Sequence, residues 1–178
     1  MRAFIGFLAP ESVKSVAVRM QNELNEIGVV GKYVEKDNLH VNLSFLDEIS
    51  EEESLEFAAK IDMIAKGFRK FSASVCALKA IPNTKFVRVV AFEIEQEKGL
   101  LNSLIKEIQK SIGGDSKPPH MTLCRVKGLK DKRKFADIIE KYSTSCFAAF
   151  EVDSLQLIKS ELEAGGPVYS VIHESKLA

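Results

Sequence analysis

Surplus charge is missing from this 178-residue chain. It carries 25 Lys and Arg against 25 Asp and Glu, with 12 of each sign up to Val89 and 13 of each after it. A protein that coats long nucleic acid by neutralising phosphates needs an excess of Lys and Arg. Any nucleic-acid contact is therefore expected at one local site. Cysteine is scarce as well: Cys76, Cys124 and Cys146 form no CxxC pair, and they read as buried reduced thiols of a cytoplasmic protein. Long apolar runs are also lacking. Met1 to Ala9 is apolar, but Pro10 and Glu11 end it, and no other run approaches the roughly 18 residues of a membrane span. A soluble chain with no membrane partner and no export address is the expectation. HExxH and paired Cys/His spacings are absent too, so no metal site and no cofactor is expected.

What is present is a regular alternation of elements. With 46% apolar residues, the chain can bury one real core, or two small lobes that share one. Phe4 to Leu8 reads as a buried strand. Val13, Val16, Ala17, Met20, Leu24 and Ile27 follow at helical spacing, with Gly28 or Gly31 able to close the helix. Leu39 to Leu46 reads as a strand. Ser50-Glu51-Glu52-Glu53 opens an acidic helix start, suited to the positive end of a helix dipole. Phe71 to Leu78 alternates as a half-buried strand does. The second half repeats the order: strand 86–92, helix 100–112, strand 120–124, helix 130–142 and strand 146–157, with Val168 to His173 as a closing strand. The fold class is therefore α+β. It is expected to be one bilobal domain over 1–178, with related halves of roughly 1–84 and 85–178 intertwined at the termini and their sheets facing a central cleft.

One motif occurs in both halves: His40-Val41-Asn42-Leu43 and His120-Met121-Thr122-Leu123, 80 residues apart. Side chains alternate across a strand. His40, Asn42 and Ser44 thus share one face, opposite Val41, Leu43 and Phe45. His120 and Thr122 likewise share a face. Each strand then buries an apolar side and presents an imidazole beside a hydrogen-bonding group. Two such strands suit phosphodiester chemistry. One histidine takes a proton from attacking water and the other gives one to the leaving oxygen, each transfer typically contributing about 10²–10⁴-fold. Amide and hydroxyl donors stabilise charge on nonbridging oxygens. A single histidine on a strand is more often structural, and His173, with no motif around it, reads as an edge-strand residue. Two in matching motifs are harder to dismiss.

Longer segments carry a resemblance. Met1-Arg2-Ala3-Phe4-Ile5, Asn38 to Leu46, Pro119 to Lys127, Ser160-Glu161-Leu162 and Gly166-Pro167-Val168-Tyr169 resemble the 2H phosphoesterase superfamily. The resemblance is to its RNA 2′,3′-cyclic phosphodiesterases, once named 2′-5′ RNA ligases, and it spans nearly the whole chain. It implies a metal-free bilobal fold and opening of a 2′,3′-cyclic phosphate to a 2′-phosphomonoester. By position it implies His40 and His120 as catalytic, Asn42, Thr122 and Arg125 as phosphate-binding, and Phe45 and Tyr169 as bordering the nucleotide. It also suggests the order of roles, with His120 as base and His40 as acid. RNA ends or nucleotides with a 2′,3′-cyclic phosphate, tRNA halves among them, are the implied partners, with a monomer as the expected state.

Three points qualify that expectation. Strand parity sets Arg125 off the His120 face, so a bend is required for it to reach the phosphate. For Phe45 the parity favours core. The chain also departs from the family by having Asn42 where threonine is usual, and Asp47 where glycine is usual; aspartate tolerates left-handed turn geometry better than most residues. Two alternatives follow from the same residues: a nucleotide- or RNA-end-binding module without turnover, and reverse 2′-5′ RNA ligation.

Overall fold

Apolar periodicity resolves into nine strands and four α-helices in a computed structural model that describes residues 1–178. In chain order they are β1 (Arg2–Leu8), α1 (Glu11–Glu26), β2 (Val29–Tyr33), β3 (His40–Glu48), α2 (Glu51–Lys66), β4 (Phe71–Pro82), β5 (Val87–Gln96), α3 (Leu100–Ser111), β6 (His120–Leu129), α4 (Lys132–Lys141), β7 (Cys146–Val152), β8 (Ser154–Glu163) and β9 (Gly166–Lys176). The strands form two antiparallel sheets, in the orders β3-β1-β8-β9 and β2-β6-β5-β4-β7. This is the α+β, two-sheet architecture expected from the alternation. No helix is long and apolar enough to cross a membrane.

The two sheets do not follow the two halves of the sequence. β4, from the first half, pairs with β5 and β7 inside the second sheet. β8 and β9, from the second half, complete the first sheet beside β1. The strand expected over 146–157 is two strands, divided at Asp153 and sent to different sheets. Gly31 does not close α1; it lies in β2, a strand that the polar, glycine-containing stretch Val29–Tyr33 did not announce. Hydrogen bonding to neighbours on the sheet, rather than local periodicity, makes that segment a strand.

Helix ends follow their local chemistry. Ser50 caps α2 in a reciprocal capping box: its side chain accepts from the Glu53 amide, and the Glu53 carboxylate accepts from the Ser50 amide. Asp47 sits at a φ of 56°, the left-handed geometry aspartate was expected to bear. His173 lies on the edge strand β9, where it donates from Nε2 to Asp62 Oδ1 of α2 at 2.8 Å. Ser175 donates to the same carboxylate. These bonds fasten α2 to its sheet.

The cysteine reading needs correction. Cys76 and Cys146, directly opposite on β4 and β7, are joined as a disulfide. Only Cys124 is free, and burial pushes its thiol up to about 11, leaving it protonated and inert at neutral pH. Cys76 and Cys146 come from strands 70 residues apart in sequence, and only the β4–β7 pairing makes them neighbours.

Candidate active site

β3 and β6 approach with Cα atoms within 8 Å of one another although they belong to different sheets. A two-residue bridge ties them: Phe45 and Asp115, just ahead of β6, exchange backbone hydrogen bonds of 2.8 and 2.9 Å. His40 opens β3 and His120 opens β6.

The two histidines are held in the same way. His40 Nδ1 lies 2.7 Å from the Asn38 carbonyl, and His120 Nδ1 lies 2.9 Å from the Pro118 carbonyl. A carbonyl only accepts, so Nδ1 carries the proton in each ring and Nε2 is left free to accept or give one. Asn38 acts twice, because its side chain also donates to the Pro167 carbonyl at 2.6 Å. That bond anchors the strand that brings in Tyr169.

Simple alternation fails at matching places on both strands. Leu43 and Ser44 are both fully buried, as are Leu123 and Cys124. The pairing registers skip one residue there: Ser44 faces Ile5 while Asn42 faces Gly6, and Cys124 faces Val90 while Thr122 faces Ala91. Each strand therefore carries a β-bulge three residues after its histidine. The bulge turns Ser44 inward, so Ser44 does not share the His40 face. It donates instead to the Gly113 carbonyl at 2.6 Å. The residue five after each histidine returns to the cleft side. Those residues are Phe45 and Arg125. The bend that Arg125 required is thus present, and Phe45 is corrected from core to cleft wall, with the Arg2 guanidinium 5.6 Å from its ring centroid.

Glycines face these irregular pairings. Gly6 lies opposite the first bulge, where a Cβ would stand 2.1 Å from the Val41 carbonyl oxygen. On the other edge of β6, Gly31 faces Val126 where the β2–β6 register skips Lys127, and a Cβ there would stand 2.1 Å from the Arg125 carbonyl oxygen. Side chains from outside the sheets reach the bulged carbonyls. Gln21 of α1 donates to Leu123 O at 2.9 Å, and Ser116, held by Gln109 of α3, donates to Leu43 O at 2.8 Å.

Electrostatics separate the two imidazoles. His40 packs against Phe4, with centroids 4.8 Å apart, and meets Tyr169 edge-on at 5.0 Å. Burial pushes the His40 pKa down, the hydrogen bond to Asn38 opposes this, and the charges of His120 and Arg125 push it down further. Tyr169 belongs to the His40 side of the cleft. Burial raises its phenol, against the opposing charges of Arg125 and Arg2. Arg2 and Phe4 are contributors that motif spacing missed. The signal was strand parity, which sets both on the β1 face opposite Ala3 and Ile5. On the His120 side, Glu93 is the register partner of His120 and pairs with Lys79 at 3.6 Å.

A group of possible metal donors, Cys76, Glu95 and Cys146, lies within 4.8 Å, but both sulfurs are committed to the disulfide. A separate recess of about 580 Å³ between α2 and α3, lined by Lys60, Met63, Ile64 and Glu107 among others, touches neither histidine strand.

Two antiparallel sheets, each presenting a histidine from a bulged strand that approaches the other, define the 2H class of fold. Residues 93–169 match the family described as LigT like Phosphoesterase. The chain is 32% identical to the RNA 2′,3′-cyclic phosphodiesterase of Aquifex aeolicus (strain VF5), covering 98% of this chain and 96% of that one. It is 33% identical to the RNA 2′,3′-cyclic phosphodiesterase of Methanocaldococcus jannaschii, over 98% and 99% of the two chains. The crystal structure of TT0787 of Thermus thermophilus superposes with a TM-score of 0.80 at 25% identity, covering 99% of this chain and 98% of that one. The chain belongs to the LigT-like family of 2H phosphoesterases.

Proposed function

We propose that this protein hydrolyses the 2′,3′-cyclic phosphate at RNA ends, leaving a 2′-phosphomonoester and a free 3′ hydroxyl. The observation that carries the reading is the pair of imidazoles, each with Nδ1 engaged by a carbonyl two residues back and Nε2 free. Water attacks phosphorus and gives its proton to His120 Nε2. The bond from phosphorus to the 3′ oxygen breaks, and His40 Nε2 supplies the proton to that oxygen. Asn42, Thr122 and Arg125 hold the nonbridging oxygens and take up the charge that develops on them. Phe45 and Tyr169 flank the nucleoside. Both histidines belong to one chain, so a monomer contains the whole site.

A lowered His40 pKa is compatible with the acid role once substrate is bound. The phosphodiester anion offsets the positive charge of Arg125 and so favours the protonated form of His40, which then gives its proton to the departing oxygen. A 5′ hydroxyl in place of water would run the step toward 2′-5′ ligation of RNA ends such as tRNA halves. Molar water keeps hydrolysis dominant.

The test is product analysis after incubation with cyclic-phosphate-ended RNA in excess chelator. We expect 2′-phosphate ends at an undiminished rate. Tight binding without turnover would replace this reading with that of an RNA-end-binding module. Loss of rate in chelator with recovery on adding zinc or manganese would replace the metal-free mechanism.

Asn42 supplies an amide where the second motif supplies the Thr122 hydroxyl. Both donate to phosphate, but the amide is longer and planar. Asn42→Thr is expected to keep or raise kcat on the cyclic phosphate. A loss of about 10-fold or more, equivalent to about one strong hydrogen bond, would show that the amide has its own role.

A further inference from the structure

We propose that the tip of the β4–β5 hairpin is a stacking platform for the RNA nucleotides immediately upstream of the cyclic phosphate, built from Phe86 and Arg88. The proposal rests on the reading above and extends it from a terminal nucleotide to an RNA strand. Phe86 is 60% exposed, an unusual placement for a phenylalanine. Its ring already carries a cation: the Arg88 guanidinium stands 5.1 Å from its centroid. The loop is fixed rather than slack, because the Asn83 side-chain oxygen accepts from the amides of Lys85 and Phe86 at 3.0 and 2.9 Å.

The platform faces the cleft side and continues from the phosphate site. A register row crosses the second sheet as Lys32, Arg125, Val89 and Ile81, each opposite the next. Opposed side chains share a face. Arg125, the proposed phosphate ligand, is therefore directly beside Val89. The β4–β5 register then skips a residue, pairing Ile81 with Val89 but Pro82 with Val87, and such a bulge puts Val87 on the face opposite Val89. Val87 accordingly packs against the core. Carrying the alternation one residue beyond Val87 puts Phe86 on the Arg125 side, with the Arg88 guanidinium over its ring. Phe86 lies three residues beyond Val89 along the chain, roughly 10 Å at strand rise. Lys32 and the exposed Ile81 form the two ends of the row. Basic side chains tracking a backbone, with an aromatic face for a base, are the elements of single-strand recognition. With zero net charge overall, this local cluster is where such affinity is concentrated.

The experiment compares a mononucleoside 2′,3′-cyclic phosphate with a pentaribonucleotide ending in the same group. Phe86→Ala is expected to raise KM for the pentaribonucleotide about 10-fold, the order of one lost base stack, and to leave the mononucleotide kinetics within about twofold. Phe86→Trp restores the loss. Arg88→Gln reduces the slope of log KM against log salt by about 0.7 for the longer substrate only, as one lost phosphate contact on a single strand would. Equal effects on both substrates, or no effect on the longer one, overturn the proposal. A second readout keeps the two readings apart: fluorescence anisotropy of a labelled pentaribonucleotide with a terminal 2′-phosphate. Wild-type protein that binds this probe, loses affinity on Phe86→Ala and hydrolyses neither substrate would sustain the platform while sinking the hydrolase. Unchanged anisotropy in Phe86→Ala sinks the platform.

Discussion

Replacing either histidine with alanine should lower kcat on a 2′,3′-cyclic phosphate by about 10²-fold or more, the usual size of a positioned acid or base, with little change in Tm. Both histidines are only half-buried, so loss of turnover need not come from unfolding. The two variants should differ toward a cyclic phosphorothiolate that carries sulfur at the 3′ bridging position. A thiolate is a far weaker base than an alkoxide, so its departure needs little acid help. Rescue of His40→Ala but not of His120→Ala is the expected pattern. Rescue of His120→Ala alone would reverse the assignment. The wild-type kcat/KM should be bell-shaped in pH, with limbs that belong to the coupled pair. Burial, His120 and Arg125 all disfavour the protonated form of His40. Its titration, followed by NMR on the free protein, should therefore fall on the acid side of the ordinary imidazole value. Arg125→Gln removes one positive charge and should move that midpoint upward. A downward move would contradict the placement of Arg125 beside His40.

Gly31→Ala should be among the most damaging changes outside the histidines. Its Cβ would sit 2.1 Å from the Arg125 carbonyl oxygen and 3.0 Å from Cys124 Sγ. The backbone would have to part where β2 pairs with β6 beside Arg125. We expect a loss of about 3 kcal/mol or more, in the range of severe backbone and packing defects. That is roughly 6–12 °C in Tm for a domain of this size, with kcat/KM reduced together with it. Gly6→Ala should behave alike through the Val41 carbonyl. Gly128→Ala, on the same strand β6 with open space around its Cβ, is the control and should stay within about 0.5 kcal/mol. A Gly31→Ala protein with wild-type Tm and activity would show that the β2–β6 pairing does not depend on that close approach.

Most of the elements were legible because each side chain's preference is local. The α1 and α3 faces, the Ser50 cap and the left-handed Asp47 are written in spacings and residue types that act within one turn. The proposed site was legible for a different reason: His40-Val41-Asn42-Leu43 and His120-Met121-Thr122-Leu123 repeat a polar–apolar alternation that places an imidazole and a donor on one face. Beyond Leu43 and Leu123 the same alternation misleads. A bulge is a property of a strand pair, and its carbonyl partners, Gln21 and Ser116, arrive from elements distant in sequence.

From the sequence alone came the class of fold, the two histidine strands and the absence of any charge surplus for coating nucleic acid. These follow from period, composition and a repeated tetrapeptide. Only the tertiary structure decided which strand entered which sheet, that Cys76 and Cys146 meet, that Phe45 and Arg125 return to the cleft, and that Phe4 and Tyr169 enclose His40 rather than His120. Each of these depends on pairing between segments tens of residues apart. Hydrogen-bond register and packing fix such pairings across the whole chain, and no local spacing records them.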